Sequence, residues 1–227
     1  MYAKSKLMVL AMLVTPVFAA DLSRFSNADM VTGLKDALTQ GANAAVAKLG
    51  TTDGFFKNAK VKIPLPENLK KVEKAMRFAG MGKQADELVV TMNRAAEAAV
   101  PEAQTLLVDA VKKMSVTDAK NILTGPDDAA TKYFRKSTQT QLTDKFLPIV
   151  KEATDKVGLA QQYNDFAATG AQFGLVKKED AKIENYVTTK ALDGLYLIIA
   201  EQERSLRKNP VEATTSIAKK IFGAIKG

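Results

Sequence analysis

Three groups of side chains have the types and spacing to do chemistry. Residues 81–99 carry apolar positions at helical spacing, and at about 100° per residue Asp86, Asn93 and Glu97 fall along one flank of that face, with Arg94 nearly opposite. Two carboxylates and an amide in line could orient a sugar or a cation. The same groups could instead satisfy backbone groups of a neighbouring helix, because buried polar groups are hydrogen-bonded. In the segment 180–208, Tyr196, Glu203 and Arg207 share a stripe beside the apolar face, with Asp193 and Tyr186 next to it. Glu203 and Arg207 are four apart in the favourable acid-before-base order, a surface pair worth about 0.2–0.5 kcal/mol. The alternative is a cleft wall in which the two tyrosines give a flat apolar surface and a hydroxyl each. The third group is Arg135, which an uninterrupted helix would project within about 20° of Leu142 and Phe146, on the apolar stripe. A guanidinium there needs a carboxylate from a distant helix, with Asp109, Glu97 and Asp193 as candidates, or must snorkel along Phe134 to water.

What is missing narrows the chemistry further. The chain has no His and no Cys, so it cannot build a Ser/His/Asp triad, a thiol nucleophile, a thiolate or imidazole zinc site or a His-ligated haem. No calcium loop, P-loop or dinucleotide glycine fingerprint is present. Neither cofactor nor metal is expected. Carboxylate hydrolysis of a cell-wall glycan remains open, with Glu97 and Asp193 as its acids. Two carboxyl groups facing each other at about 5–9.5 Å would favour it, and salt-bridged acids would favour binding. The run Lys132-Tyr133-Phe134-Arg135-Lys136 interleaves aromatics with bases, as single-strand readers do. A helix, however, turns Phe134 to the core and leaves Lys132 and Lys136 as a solvated edge, so nucleic acid is not expected as a partner.

The elements that must position these groups are helices. With 227 residues, 46% hydrophobic and 26% charged, the chain fits one all-α domain, a multi-helix bundle with one short extended arm. Residues 1–19 read as a signal peptide: Lys4 and Lys6, then apolar Leu7 to Val14, then Val17-Phe18-Ala19 before the cut, leaving 20–227 as the single helical domain. The apolar run falls short of the ~20 residues that span a bilayer, so no transmembrane segment is expected after signal removal. Loss of Lys4 and Lys6 leaves 31 basic against 25 acidic residues, a net +6.

A capping box, Ser26 with Asp29, opens a helix with Met30, Leu34, Leu38, Ala42, Ala45 and Leu49 on its face, ended by Gly50. Residues 51–66 break the period with Asp53-Gly54, the alternation Val61 and Ile63 among lysines, and Pro64 and Pro66, which predicts an extended arm with any strand confined to 55–63. Helices follow over Leu69–Met76, Met81–Ala99, from Pro101 to Met114, from a second box at Ser115 and Asp118 to Gly125-Pro126, and from about Asp128 to Val157 with a kink at Pro148. In the last of these Leu142, Phe146, Ile149, Ala153 and Val157 share one side. A weaker helix spans 159–178, with Tyr163, Phe166 and Phe173 against Gly170 and Gly174; a strong one spans 180–208, and a short one ends near Phe222.

Several strings taken in order resemble a known family: Asp53-Gly54-Phe55 with Ile63-Pro64-Leu65-Pro66, Met92-Asn93-Arg94-Ala95-Ala96-Glu97, Gly125-Pro126 with Ala129-Ala130-Thr131 and Tyr133-Phe134, Tyr186-Val187-Thr188 with Ala191-Leu192-Asp193-Gly194-Leu195, and Arg207-Lys208-Asn209-Pro210. Together they resemble the secreted bacterial proteins grouped as domain of unknown function 4197, over essentially the whole of residues 20–227. The resemblance implies an envelope location and supplies no activity, cofactor or catalytic residue. The expected function is therefore a periplasmic or secreted binding or structural protein. Its partners would be an anionic envelope surface or an apolar small ligand, with the glycan hydrolase and a lipid carrier as alternatives. A carrier would show a continuous apolar cavity of about several hundred Å³.

Overall fold

Helix follows helix at short intervals in the computed structural model, which describes residues 22–172 and 182–226. In order they are α1 (Asn27–Leu49), α2 (Glu67–Phe78), α3 (Gly82–Ala99), α4 (Ala103–Lys113), α5 (Val116–Leu123), α6 (Ala129–Thr154), α7 (Gly158–Gln172), α8 (Ile183–Lys208) and α9 (Ser216–Lys226), with 3-10 turns at Val100–Glu102 and Pro210–Glu212. The fold is all-α, and no strand occurs among the described residues. The expected signal peptide, and Phe173 and Gly174, lie outside the described residues. α9 runs on past Phe222 to Lys226.

Both capping boxes form. The Asp29 N–H donates to the Ser26 hydroxyl at 3.1 Å and the Ser26 N–H donates back to the Asp29 carboxylate at 3.2 Å; Ser115 and Asp118 repeat this at 3.1 and 3.0 Å. In each box the serine hydroxyl also donates to the carboxylate, at 2.7 Å, and this bond first, then the serine N–H, holds both aspartates below the ordinary carboxyl range. Every apolar position expected to line α1 is buried, from Met30 to Leu49.

α6 is the central post. It lies along α8 and also packs on α3, α4 and α5. Its buried positions are Ala130, Phe134, Thr138, Leu142, Phe146, Val150 and Thr154, spaced by four throughout. A four-residue step overshoots one turn by about 40°, so this line winds by about 240° along the helix and serves several neighbours in place of one. The winding corrects the straight stripe read from the sequence: Val150 and Thr154 are buried where Ile149 and Ala153 were expected, and these two are half-buried. Pro148 sits exposed within the helix, which continues through it.

α1 closes the other side, packed on α4, α5, α8 and α9. Its contact with α9 is close to backbone on backbone, since a methyl group built on Gly33 would stand 2.9 Å from the Ile221 side chain and 3.1 Å from the Ile217 carbonyl oxygen. α7 packs on α3 and α8, while α2 folds back on α3 as a hairpin.

The arm between α1 and α2 is present, but it contains no strand. Turns join Lys57 to Asp53, Asn58 to Phe55 and Lys62 to Asn58 before the backbone extends toward Pro66. The alternation was real: Val61, Ile63 and Leu65 are buried, and Lys62 and Pro64 are exposed. What the arm lacks is a second strand, because helix side chains take the ladder's place.

Candidate functional site

Asn93 is that replacement. It is fully buried on α3, its Oδ1 accepts the Ile63 N–H at 2.8 Å, and its Nδ2 donates to the Ile63 carbonyl at 2.9 Å and to the Val89 carbonyl at 2.7 Å. One side-chain amide thus gives Ile63 the pair of bonds that a neighbouring strand residue would give it. One turn on, Glu97 Oε1 accepts the N–H groups of Phe55 and Phe56, each at 3.0 Å. Its Oε2 accepts from Arg94 at 2.6 Å, and Arg94 reaches on to Asp53 at 2.6 Å. Lys57 and then Arg94 hold the Asp53 carboxyl below its ordinary range. Asp53 has φ of 69°, a left-handed turn conformation that aspartate tolerates better than most residues. Two sequence expectations change here. Arg94 does not point away from Glu97 but bends round to it across one helical turn. Asp86 does not join Asn93 and Glu97: it lies about 10 Å further up α3, exposed, where Arg77 of α2 bonds it at 2.7 Å and depresses its pKa.

The second cluster joins α8 to the turn between α5 and α6. Glu203 is buried rather than exposed: its Oε1 accepts the Ala130 N–H and its Oε2 the Thr131 N–H and hydroxyl, all at 3.0 Å. These are first-turn donors of α6, whose own Asp128 makes no side-chain cap. Arg207 donates to Glu203 at 3.1 Å and to the Ile122 carbonyl near the end of α5 at 2.8 Å. A carboxylate at a helix start and a guanidinium at a helix end both match the helix dipole. The surface pair expected from spacing is therefore an internal clamp, made so by the helix ends that α8 covers. Beside it, a cleft lined by Leu34, Gly41, Phe134 and Phe222 with Glu203 and Arg207 has a volume of about 10 Å³, room for one water.

Arg135 finds a carboxylate, and it is Asp193, one of the three expected, at 3.1 Å. Both side chains are nevertheless 41% and 48% exposed. At the level of Arg135 the winding line of α6 runs through Phe134 and Thr138, so the direction of Leu142 is no longer the buried one. The guanidinium lies 4.5 Å from the Tyr196 ring centroid. Tyr196 is buried, and its hydroxyl stands 2.9 Å from Thr138 Oγ1, which itself donates to the Phe134 carbonyl at 2.7 Å. The phenol therefore donates to Thr138, and burial pushes its pKa up. Tyr186 donates to the Pro64 carbonyl at 3.1 Å, so it holds the arm from the α8 side. Among the described residues no group of three or more acids could hold a metal ion.

The geometry thus gathers the candidate residues into joints: Asn93, Glu97 and Tyr186 on the arm, Glu203 and Arg207 on the α5–α6 turn, and Arg135 with Asp193 and Tyr196 between α6 and α8. A family model described as protein of unknown function (DUF4197) matches residues 24–223. The chain belongs to this family. No curated protein and no solved structure matches it. In this DUF4197 chain the strings that carried the resemblance meet in space. Asp53-Gly54-Phe55 and Ile63-Pro64-Leu65 seat against Asn93-Arg94 and Glu97 on one side. On the other side a methyl group on Gly194 would lie 2.7 Å from the Phe55 ring. Likewise Ala130 and Thr131 bond Glu203, whose ion-pair partner Arg207 reaches the Ile122 carbonyl, and a methyl group on Gly125 would stand 2.5 Å from the Asn121 carbonyl oxygen. Sequence reasoning missed Asp53, Thr138 and Ile122 as members of these joints. Only Asp53 carried a signal, as the residue before a turn glycine.

Proposed function

We propose that this DUF4197 chain is a non-enzymatic binding or structural protein of the cell envelope, exported by residues 1–19. The observation that carries this reading is how the acids are employed. Glu97 spends both oxygens on two backbone N–H groups and Arg94, Glu203 spends both on the start of α6 and on Arg207, and Asp193 is an exposed partner of Arg135. A glycosidase acid must instead hold a proton over a groove and face a second carboxylate. The cleft beside Glu203 holds about 10 Å³, and the wider depressions, of about 290 and 320 Å³, are walled in part by Asp127, Arg207 and Lys208 and by Asp118, Asn121 and Lys132, which is not the continuous apolar lining that lipid carriage requires.

Turnover on cell-wall glycan tests the reading. Wild type, Glu97→Gln and Asp193→Asn should not differ in product released above the blank. Turnover abolished by either substitution with thermal unfolding unchanged would give the site to a hydrolase. Export has its own test, for the N terminus of the processed protein should read Ala20 or Asp21, and Met1 would refute it.

A further inference from the structure

Most large apolar side chains of this chain are buried, which makes Phe78 stand out. It ends α2 with 98% of its side chain exposed, while Phe55, Phe134, Phe146 and Phe222 are at 2% or less. The five residues Phe78-Ala79-Gly80-Met81-Gly82 form the uncharged apex of the α2–α3 hairpin. Gly80 turns the chain with φ of 80°, a conformation that glycine adopts without steric cost. Just below the apex Arg77 bonds Glu73 of its own helix at 2.9 Å and Asp86 of α3 at 2.7 Å. The two helices are thereby fastened together and the phenylalanine is carried outward.

The charges around the apex are unequally employed. Arg77 and Lys70 are paired with acids, whereas Lys71, Lys74 and Lys83 have no carboxylate partner among the described residues. On an ideal helix Lys71 and Lys74 lie within about 40° of Phe78, roughly 10 and 6 Å below it. A protein partner of ordinary size would need a contiguous patch of about 800 Å² with its anchor in a pocket. Here one ring projects from a convex tip flanked by alanine and glycine. A projecting aromatic with unpaired cations behind it matches the boundary between acyl chains and anionic headgroups.

We propose that the α2–α3 apex is a docking tip for an anionic lipid surface, with Phe78 entering the interfacial zone and Lys71, Lys74 and Lys83 meeting the headgroups. This deepens the binding reading and rests on it in placing the protein at the cell envelope. The vesicle test below reads insertion and neither turnover nor processing, so its failure is distinct from a failure of that reading.

The chain contains no tryptophan, so Phe78→Trp creates a single reporter at the tip, and Val211→Trp creates a control at another exposed position, 78% accessible. With phosphatidylglycerol-containing vesicles the Phe78→Trp emission should move to shorter wavelength and be quenched by brominated acyl chains. Pure phosphatidylcholine should produce neither change, and Val211→Trp should respond to neither vesicle. Phe78→Ser should lower partitioning of the full chain about ten- to a hundredfold, with thermal unfolding unmoved because the side chain touches almost nothing. Each of Lys71→Gln, Lys74→Gln and Lys83→Gln should lower it about fivefold at low salt. Emission that ignores vesicles, an equal response at Val211→Trp, or partitioning unaffected by Phe78→Ser would overturn the proposal. A blue shift that grows with protein concentration in the absence of lipid would also overturn it and give the tip to a second copy of the chain.

Discussion

Replacing Glu203 with alanine should destabilise the domain by about 3–5 kcal/mol, clearly more than replacing Arg207, its ion-pair partner. Its side chain is 2% exposed, that of Arg207 10%, so solvent screens the pair little. Alanine removes the acceptor of the Ala130 and Thr131 N–H groups, a lost cap worth about 0.5–2 kcal/mol. It also leaves a buried guanidinium without its counter-charge, for which breaking one side of a buried pair costs about 3–5 kcal/mol. The two losses overlap and do not add, because they share one carboxylate. Arg207→Met is milder by construction: the carboxylate keeps two backbone donors and the Thr131 hydroxyl, methionine fills the aliphatic volume, and the Ile122 carbonyl loses one donor, so about 1–2 kcal/mol is expected. Urea unfolding with unchanged slopes gives both numbers. Amide exchange at Ala130 and Thr131 should accelerate more in Glu203→Ala than in Arg207→Met. If Glu203→Ala cost under about 1 kcal/mol, or no more than Arg207→Met, the claim that α8 caps α6 across the bundle would be refuted.

Other outcomes follow from the same geometry. Gly194→Ala drives a methyl group to 2.7 Å from the Phe55 ring and 3.2 Å from Val61 Cβ and should cost about 1–3 kcal/mol in thermal or urea unfolding; a neutral result would mean that the arm yields freely. Arg135→Met should cost under about 1 kcal/mol, because its ion pair is close to half exposed and solvent-screened; a loss of about 3 kcal/mol or more in urea unfolding would mark it as a buried pair after all. Asp29, Asp53, Asp86 and Asp118 all have folded pKa values below the ordinary one, so the native state binds fewer protons than the unfolded chain. The stability they add is present above about pH 4 and is lost as pH falls through their folded values. With no histidine, the urea midpoint should hold between about pH 5.5 and 8 and then fall on acidification; a midpoint that rose below pH 4 would contradict this.

Local rules were legible and long-range company was not. Both serine boxes, the α1 face and the stops at Gly50 and Gly125 depend on residues within one or two turns of each other, and the sequence displays them directly. The alternation of Val61 and Ile63 was equally visible, but a period of two reports which side chains are buried and not what bonds the backbone, so the extended arm was read with room for a short strand where Asn93 does the bonding. α6 misled in another way: a line of buried residues that winds through several neighbours looks, on a fixed helical wheel, like no single face, and Arg135 was placed inside it by assuming the line straight. Glu203 and Arg207 were found as a pair from spacing. Their burial depended on α5 and α6 ending beneath α8, which nothing in residues 180–208 records.

The contact between α1 and α9 sets an order of events. α1 is made before the other described helices and keeps part of its apolar face, around Gly33, for the 11 residues of α9, which are made after all of them. Until Ser216–Lys226 is free of whatever tunnel or pore the chain is passing through, α1 has only part of its packing, and docking the two must also meet the entropy of closing a long loop. The protein should therefore fold late and all at once. A chain cut before Ser216 would hold its local helices yet bind dyes that seek loosely packed apolar surface, as partly packed states do.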